Sequence, residues 1–335
     1  MKRLRVGFGA LVLGCLVGLA GAREPSATGL VAVSAGEQVV VVSPANGTVR
    51  TFRTGPVGWL YPAPGGILFA PDLVHGKTTV IDLRRMRIAR TLSAITMPHF
   101  DREVADRYLV VAGDVLVVSY PDRAMLARVP AKIEHPWQVL ISRDWATLIV
   151  LERLPTGSDP PALWAVNLAS REVIGRSVLP STVTHMSFSP VLGLLALADT
   201  VAGVRITDPR TFAEVRVLPV DGEVCDVAFA GEGDLLLAAA RQGSRGRLAR
   251  FRLKAKRGRL KVSQRSSTML TSPPVRLVVS PDGIWAAVGL ASATLQVLPA
   301  AHDRRGRKVT LPGVPRDIEF CDPDRRGPLL PEWSK

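Results

Sequence analysis

The sequence predicts an all-β fold: a seven-bladed β-propeller with 3+1 strand closure of its first and last blade. Three observations predict it. One phrase recurs along the chain: an apolar strand, a turn of the Ser-Pro-Asp-Gly type, a second apolar strand, a third strand ending near Asp or Asn, then a basic strand. Its copies begin near Val57, Met97, Pro136, Val183, Val224, Pro274 and Pro315, at spacings of 40, 39, 47, 41, 50 and 41 residues. The last copy, Pro315–Phe320, holds one strand, whereas the N-terminal region supplies three: Leu30–Val33, Gln38–Val42 and Thr48–Phe52.

Periods of 40–50 residues with four short strands each belong to propeller blades. Helical solenoids share the period but need apolar residues at i, i+3, i+4 and i+7, which are absent. Runs such as Tyr108–Ala112 and Leu235–Ala239, bounded by glycine, aspartate and proline, read as buried strands. Joining one C-terminal strand to three N-terminal ones locks the ring and removes an open sheet edge. With 47% hydrophobic residues among 335, the chain has enough apolar material for a large core, which excludes a disordered chain. Three cysteines exclude a disulfide scaffold.

Residues 1–22 read as a secretory signal peptide. Lys2, Arg3 and Arg5 precede the apolar Val6–Leu19, and Ala20-Gly21-Ala22 is a small-x-small cleavage site. Lipid attachment at Cys15 fits poorly, because apolar Leu16–Ala22 would remain. The expected organisation is therefore a signal at 1–22, a propeller over 29–320 and a tail over 321–335, in an exported protein, periplasmic or extracellular after cleavage. No second stretch is long and apolar enough to span a membrane as a helix.

Gly76–Leu92 (GKTTVIDLRRMRIARTL), Val204–Leu218 (VRITDPRTFAEVRVL) and Ser280-Pro281-Asp282-Gly283 resemble the bacterial exported propellers with YVTN-type repeats, and more loosely the WD40-like group. The resemblance covers most of the chain at the level of pattern. It implies the fold and leaves the function open.

The third residue of each first strand gives a set of equivalent positions at the mouth of the central channel: Trp59, His99, Gln138, His185, Asp226, Arg276 and Asp317. Six of the seven are polar or ionisable, in a chain with 21% charged residues, and the residues that follow are mostly apolar. One expectation is structural. Asp226, Arg276 and Asp317 are ring neighbours, and an arginine between two carboxylates satisfies all three charges. The other is a ligand site, with His185, Asp226 and His99 as a candidate set for a divalent transition metal, extended by His135 or Glu319. Imidazole with carboxylate suits zinc, copper or iron.

Cys225 and Cys321 fall at opposite ends of strands two blades apart, so two free thiols are expected. Arg241–Arg265 carries eleven cations and no acid. Arg250, Arg252 and Lys254 alternate with Phe251 and Leu253, predicting an outer hairpin of the sixth blade with one charged face. With Lys256, Arg257 and Arg259, that face is either a solvated edge or a dock for an anionic surface such as a membrane. Nucleic acid is disfavoured, since a single aromatic residue, Phe251, stands among the eleven cations. Hydrolase, phosphate-loop and haem motifs are absent. The expected function is a non-catalytic platform for a protein or cell-envelope component. The alternative is an enzyme or cofactor subunit working at the channel mouth.

Overall fold

Strands with apolar residues at consecutive positions need cover on both faces, and a ring of blades supplies it. The computed structural model describes residues 29–324 except 96, 101–105, 121, 143–145, 154–158, 231–232, 257–258 and 303–305, with 256, 264 and 265 described through their backbone only. Seven antiparallel sheets form a seven-bladed β-propeller, with no helix among the described residues. The segments read as a signal peptide and most of the tail lie outside the described residues.

Blade 1 draws on both ends of the chain. It comprises β1 (Leu30–Ala35), β2 (Gln38–Val42) and β3 (Val49–Arg53), with β26 (Pro315–Cys321) inside them. Blade 2 is β4 (Tyr61–Ala63), β5 (Ile67–Asp72), β6 (Lys77–Asp82) and β7 (Arg87–Leu92). Blade 3 is β8 (Arg107–Ser119) and β9 (Met125–Ile133); blade 4 is β10 (Pro136–Ile141), β11 (Thr147–Glu152), β12 (Ala162–Asn167) and β13 (Glu172–Val178). Blade 5 is β14 (Val183–Ser189), β15 (Leu194–Asp199), β16 (Gly203–Thr207) and β17 (Glu214–Leu218). Blade 6 is β18 (Glu223–Ala230), β19 (Leu235–Gln242), β20 (Arg245–Lys256) and β21 (Arg259–Leu270); blade 7 is β22 (Pro274–Val279), β23 (Trp285–Leu290), β24 (Thr294–Pro299) and β25 (Arg307–Thr310).

Blade 3 departs from the others. Its innermost strand shrinks to a bridge between His99 and Leu109. The run called β8 is doubled on itself: the Tyr120 N–H donates to the Asp106 carbonyl at 2.7 Å, so the chain reverses at Gly113, whose φ of 75° suits a residue without a side chain.

Each blade interface holds its own apolar cluster. Val31, Val33 and Ile318 of blade 1 pack on Ala287 and Leu295 of blade 7. Ala196 and Ile206 of blade 5 meet Leu236 and Phe251 of blade 6. Leu109 and Val129 of blade 3 meet Leu148 and Val150 of blade 4. The Asp or Asn ending many third strands caps the following turn. Asp82, Asn167 and Asp208 accept N–H bonds from residues two and three positions on.

Candidate functional site

A first strand is the innermost strand of its blade, so one side of its backbone has no strand partner. The ring positions solve this problem. Asp317 of blade 1 accepts the Leu60 N–H of blade 2 at 2.8 Å. Gln138 of blade 4 accepts the Met186 N–H of blade 5 at 2.8 Å and donates to the Met186 carbonyl at 2.7 Å. Asp226 of blade 6 accepts the Leu277 N–H of blade 7 at 2.8 Å. In each case the ring residue of one blade holds the next residue of the neighbouring first strand. His185 uses Nδ1 on the Cys225 carbonyl of blade 6 at 2.9 Å. A carbonyl only accepts, so Nδ1 carries the proton.

Local backbone irregularity aims these side chains. The pairing register shifts beside Gln138, His185, Asp226, Arg276 and Asp317. Trp137, Thr184, Cys225, Val275 and Arg316 are thus the extra residues of five equivalent β-bulges, and a bulge re-aims the side chain beside it.

The expected acid–base–acid row is present. Arg276 donates through Nε to Asp317 at 3.0 Å and through a terminal nitrogen to Asp226 at 3.3 Å. All three side chains are nearly buried, at 14, 4 and 2% exposure respectively. Burial disfavours the guanidinium charge, but the two carboxylates outweigh it and raise the Arg276 pKa. Burial pushes the Asp317 carboxyl up, against the pull of Arg276. Burial also lowers the pKa of both ring histidines to about 4, so they are neutral.

The mouth encloses a cavity of about 270 Å³ lined by Gly58, Trp59, Trp137, Gln138, His185, Arg276, Arg316 and Asp317. Five of the seven expected ring residues line it. Asp226 lies just behind, on Arg276, and His99 is turned away against Tyr61, edge to face at 5.1 Å. Trp137 stands edge-on to Trp59 at 5.9 Å and to His185 at 6.2 Å, with the Arg153 guanidinium 5.8 Å from its ring centre. Sequence reasoning missed Trp137 and Arg316 because it placed the second residue of each first strand facing away from the channel. Their place before the ring residues is the only signal, and it becomes readable once the bulge is known.

The structure does not bring His99, His185 and Asp226 together as a metal set. Among the described residues no three His, Cys, Asp or Glu side chains cluster so as to hold an ion. The three lie on blades 3, 5 and 6, and His185 Nδ1 is committed to a carbonyl. Cys225 and Cys321 are both free thiols, half-buried and buried, with pKa values raised by burial.

The basic hairpin needs correction. Arg250 is completely buried, donating through Nε to the Ala300 carbonyl and through a terminal nitrogen to Thr268, each at 2.7 Å. Arg252 pairs with Asp234. Neither belongs to an open cationic face, because the face that alternation assigned to solvent lies against blade 7. Lys254 and Arg259 are exposed. The Lys256 side chain and Arg257 lie outside the described residues.

If the inter-blade bonds carry the ring, Gln138→Ala should lower stability by about 1–3 kcal/mol, since it leaves a buried Met186 N–H without its partner. An unchanged urea midpoint would show that water replaces the amide.

No protein-family model and no curated protein matches the chain. Solved structures do. A putative 6-phosphogluconolactonase from Bacteroides fragilis superposes with a TM-score of 0.61 at 15% identity, covering 88% of this chain and 98% of that one. The hydrazine synthase of Kuenenia stuttgartiensis gives 0.58 at 15% identity, covering 80% and 90% of the two chains. A mitotic checkpoint complex gives 0.60 at 13% identity, covering 81% and 83%. At such identities these likenesses establish the fold, and the fold alone.

Proposed function

We propose that the chain is a non-catalytic platform that holds a protein or a cell-envelope component on its channel-mouth face, and that residues 1–22 export it to that setting. The observation that carries the reading is an asymmetry of exposed apolar residues. Antiparallel strands put the second-to-third turns and the blade-to-blade connections at the same end as the cavity. Among the described residues, the exposed large apolar side chains in loops are Leu73, Val74, Ile95, Val201 and Val314 at that end and Val191 at the other. Val74 and Val201 are 72 and 81% exposed, on equivalent turns of blades 2 and 5. Single exposed valines are ordinary, but their gathering on one face favours a protein surface as occupant.

The ring chemistry supports binding over catalysis. General acid–base work needs a group free to move a proton near neutral pH. Asp226, Asp317 and Arg276 hold one another, and the two ring histidines are weak bases.

A photo-crosslinking residue placed at Val74 or Val201 in the cells that make the protein should yield one discrete adduct. The same residue at Val191 or Val215 should not. Equal labelling from all four positions, or none, would overturn the reading. With the photo-crosslinking residue at Val314 instead, at the same end, Val74→Asp with Val201→Asp should abolish the adduct without changing the melting temperature.

A further inference from the structure

We infer that Lys254, Arg259 and Lys261, on the overhanging strands of the blade 6 hairpin, dock the propeller onto an anionic lipid bilayer, on the face opposite the channel mouth. This inference is independent of what the mouth face holds. The outer two strands of blade 6 are 12 residues each, whereas the outermost strands of the other four-stranded blades are four to seven. β19 begins at Leu235, opposite Arg252, so the hairpin runs on beyond its own sheet. It leaves at the end away from the cavity.

The overhang is two-faced. Leu253 is fully buried, and Leu260 and Val262 pack on the apolar cluster shared by blades 5 and 6. Lys254 and Lys261 sit directly opposite each other and are exposed, with the exposed Arg259 two pairs further on. The exposed Arg216 of blade 5 reaches in to bond the Leu260 carbonyl at 3.2 Å. Like charges opposite each other across a ladder are destabilising. Among the described residues none of Lys254, Arg259 and Lys261 pairs with an acid, and no acid occurs in the sequence between Leu235 and Pro281.

Protection of a sheet edge explains cations along β21. It does not explain the overhang, which lengthens the edge. A projecting row of cations on an apolar underlay that is already covered offers charge and little else. That suits the diffuse negative potential of a bilayer surface, which attracts basic segments without needing a shaped pocket. The exposed loop apolar residues lie almost entirely on the other face, so this docking would leave the mouth pointing away from the lipid.

The test is partition of the purified full chain between buffer and vesicles of phosphatidylcholine with about 30 mol % phosphatidylglycerol, against phosphatidylcholine alone. Binding is expected only to the anionic vesicles, falling steeply between about 50 and about 300 mM salt. Lys254→Gln with Lys261→Gln should weaken it about 25-fold, at about fivefold per cation. Arg241→Gln with Arg245→Gln, at the mouth end of the same blade, should leave it unchanged. If the lysine pair variant melts early, Arg216→Gln with Arg259→Gln reads the same surface. No partition at low salt, equal partition into neutral vesicles, or equal loss in the mouth-end control would each overturn the inference. Binding to polyglutamate without binding to vesicles would assign these cations to an acidic protein and overturn it too.

Discussion

Replacing Arg276 by methionine should lower the stability of the propeller by about 3–5 kcal/mol, the range for removing one partner of a buried charge cluster. The substitution leaves Asp226 and Asp317 nearly buried, on the two blades that flank blade 7, without the cation that both hold. A companion variant separates charge from packing. Asn at 226 and 317 keeps the oxygen that accepts the Leu277 and Leu60 N–H groups. The triple variant Arg276→Met, Asp226→Asn, Asp317→Asn should therefore recover most of the loss, because no stranded carboxylate remains. Equilibrium urea unfolding of the three proteins decides it. A single Arg276→Met variant as stable as the parent would mean that channel water solvates the carboxylates, and that the row does not bind blades 6, 7 and 1 together.

The same row shows what the sequence could and could not reveal. Repeat period and complementary ends were readable because they follow from composition and length. Seven blade interfaces demand seven copies of a doubly covered sheet, and a 3+1 closure demands unequal ends. The ring positions were readable for a similar reason. A polar residue recurring before an apolar one at a fixed place in each unit must face something shared, and the channel is the only shared space. The bulges were not readable. The extra residue of such a bulge takes a conformation open to most side chains, so Trp137, Cys225 and Arg316 carry no mark. This is why an aromatic and a cation at the mouth escaped notice. The burial of Arg250 was hidden by a related limit. Period-two alternation separates two faces of a strand, but in the third strand of a blade both faces meet a neighbour. Leu248 faces the blade 7 cluster and Ala249 and Phe251 face that of blade 5. Only where blade 7 ends, beyond Arg252, does the same alternation expose Lys254.

Acid should weaken the fold between pH 6.5 and 4, and the two ring histidines should be the reason. Burial places both His99 and His185 at a pKa of about 4, against an ordinary 6.5. Above pH 6.5 neither state is protonated and the rings contribute nothing. As the pH falls towards 4, the unfolded chain takes up protons that the native state refuses, so stability declines; below 4 both states are protonated and the loss is complete. At full strength the difference corresponds to about 3 kcal/mol per ring. Both rings keep some exposure, and His185 lines the open cavity, so channel water offsets part of it. A loss of about 3–4 kcal/mol for the pair between pH 7 and 4.5 is the expected result. The groups around His185 pull in both directions, with Asp226 favouring its charge and Arg276 and Arg153 opposing it. Asp199, held down to about 2 by Ala202, Arg205 and Val201 against the effect of burial, loses its contribution only below the ordinary carboxylate range. Asp317 is raised, so its proton uptake favours the native state in acid and works against the histidines. The decline between pH 6.5 and 4 therefore belongs to the imidazoles, with Asp317 opposing it. Urea unfolding at the two pH values should show His99→Phe with His185→Gln flattening the decline, since phenylalanine keeps the edge contact to Tyr61 and glutamine offers an N–H to the Cys225 carbonyl. A decline that persists undiminished in the double variant would move the titration to other groups and remove the histidines from the acid response.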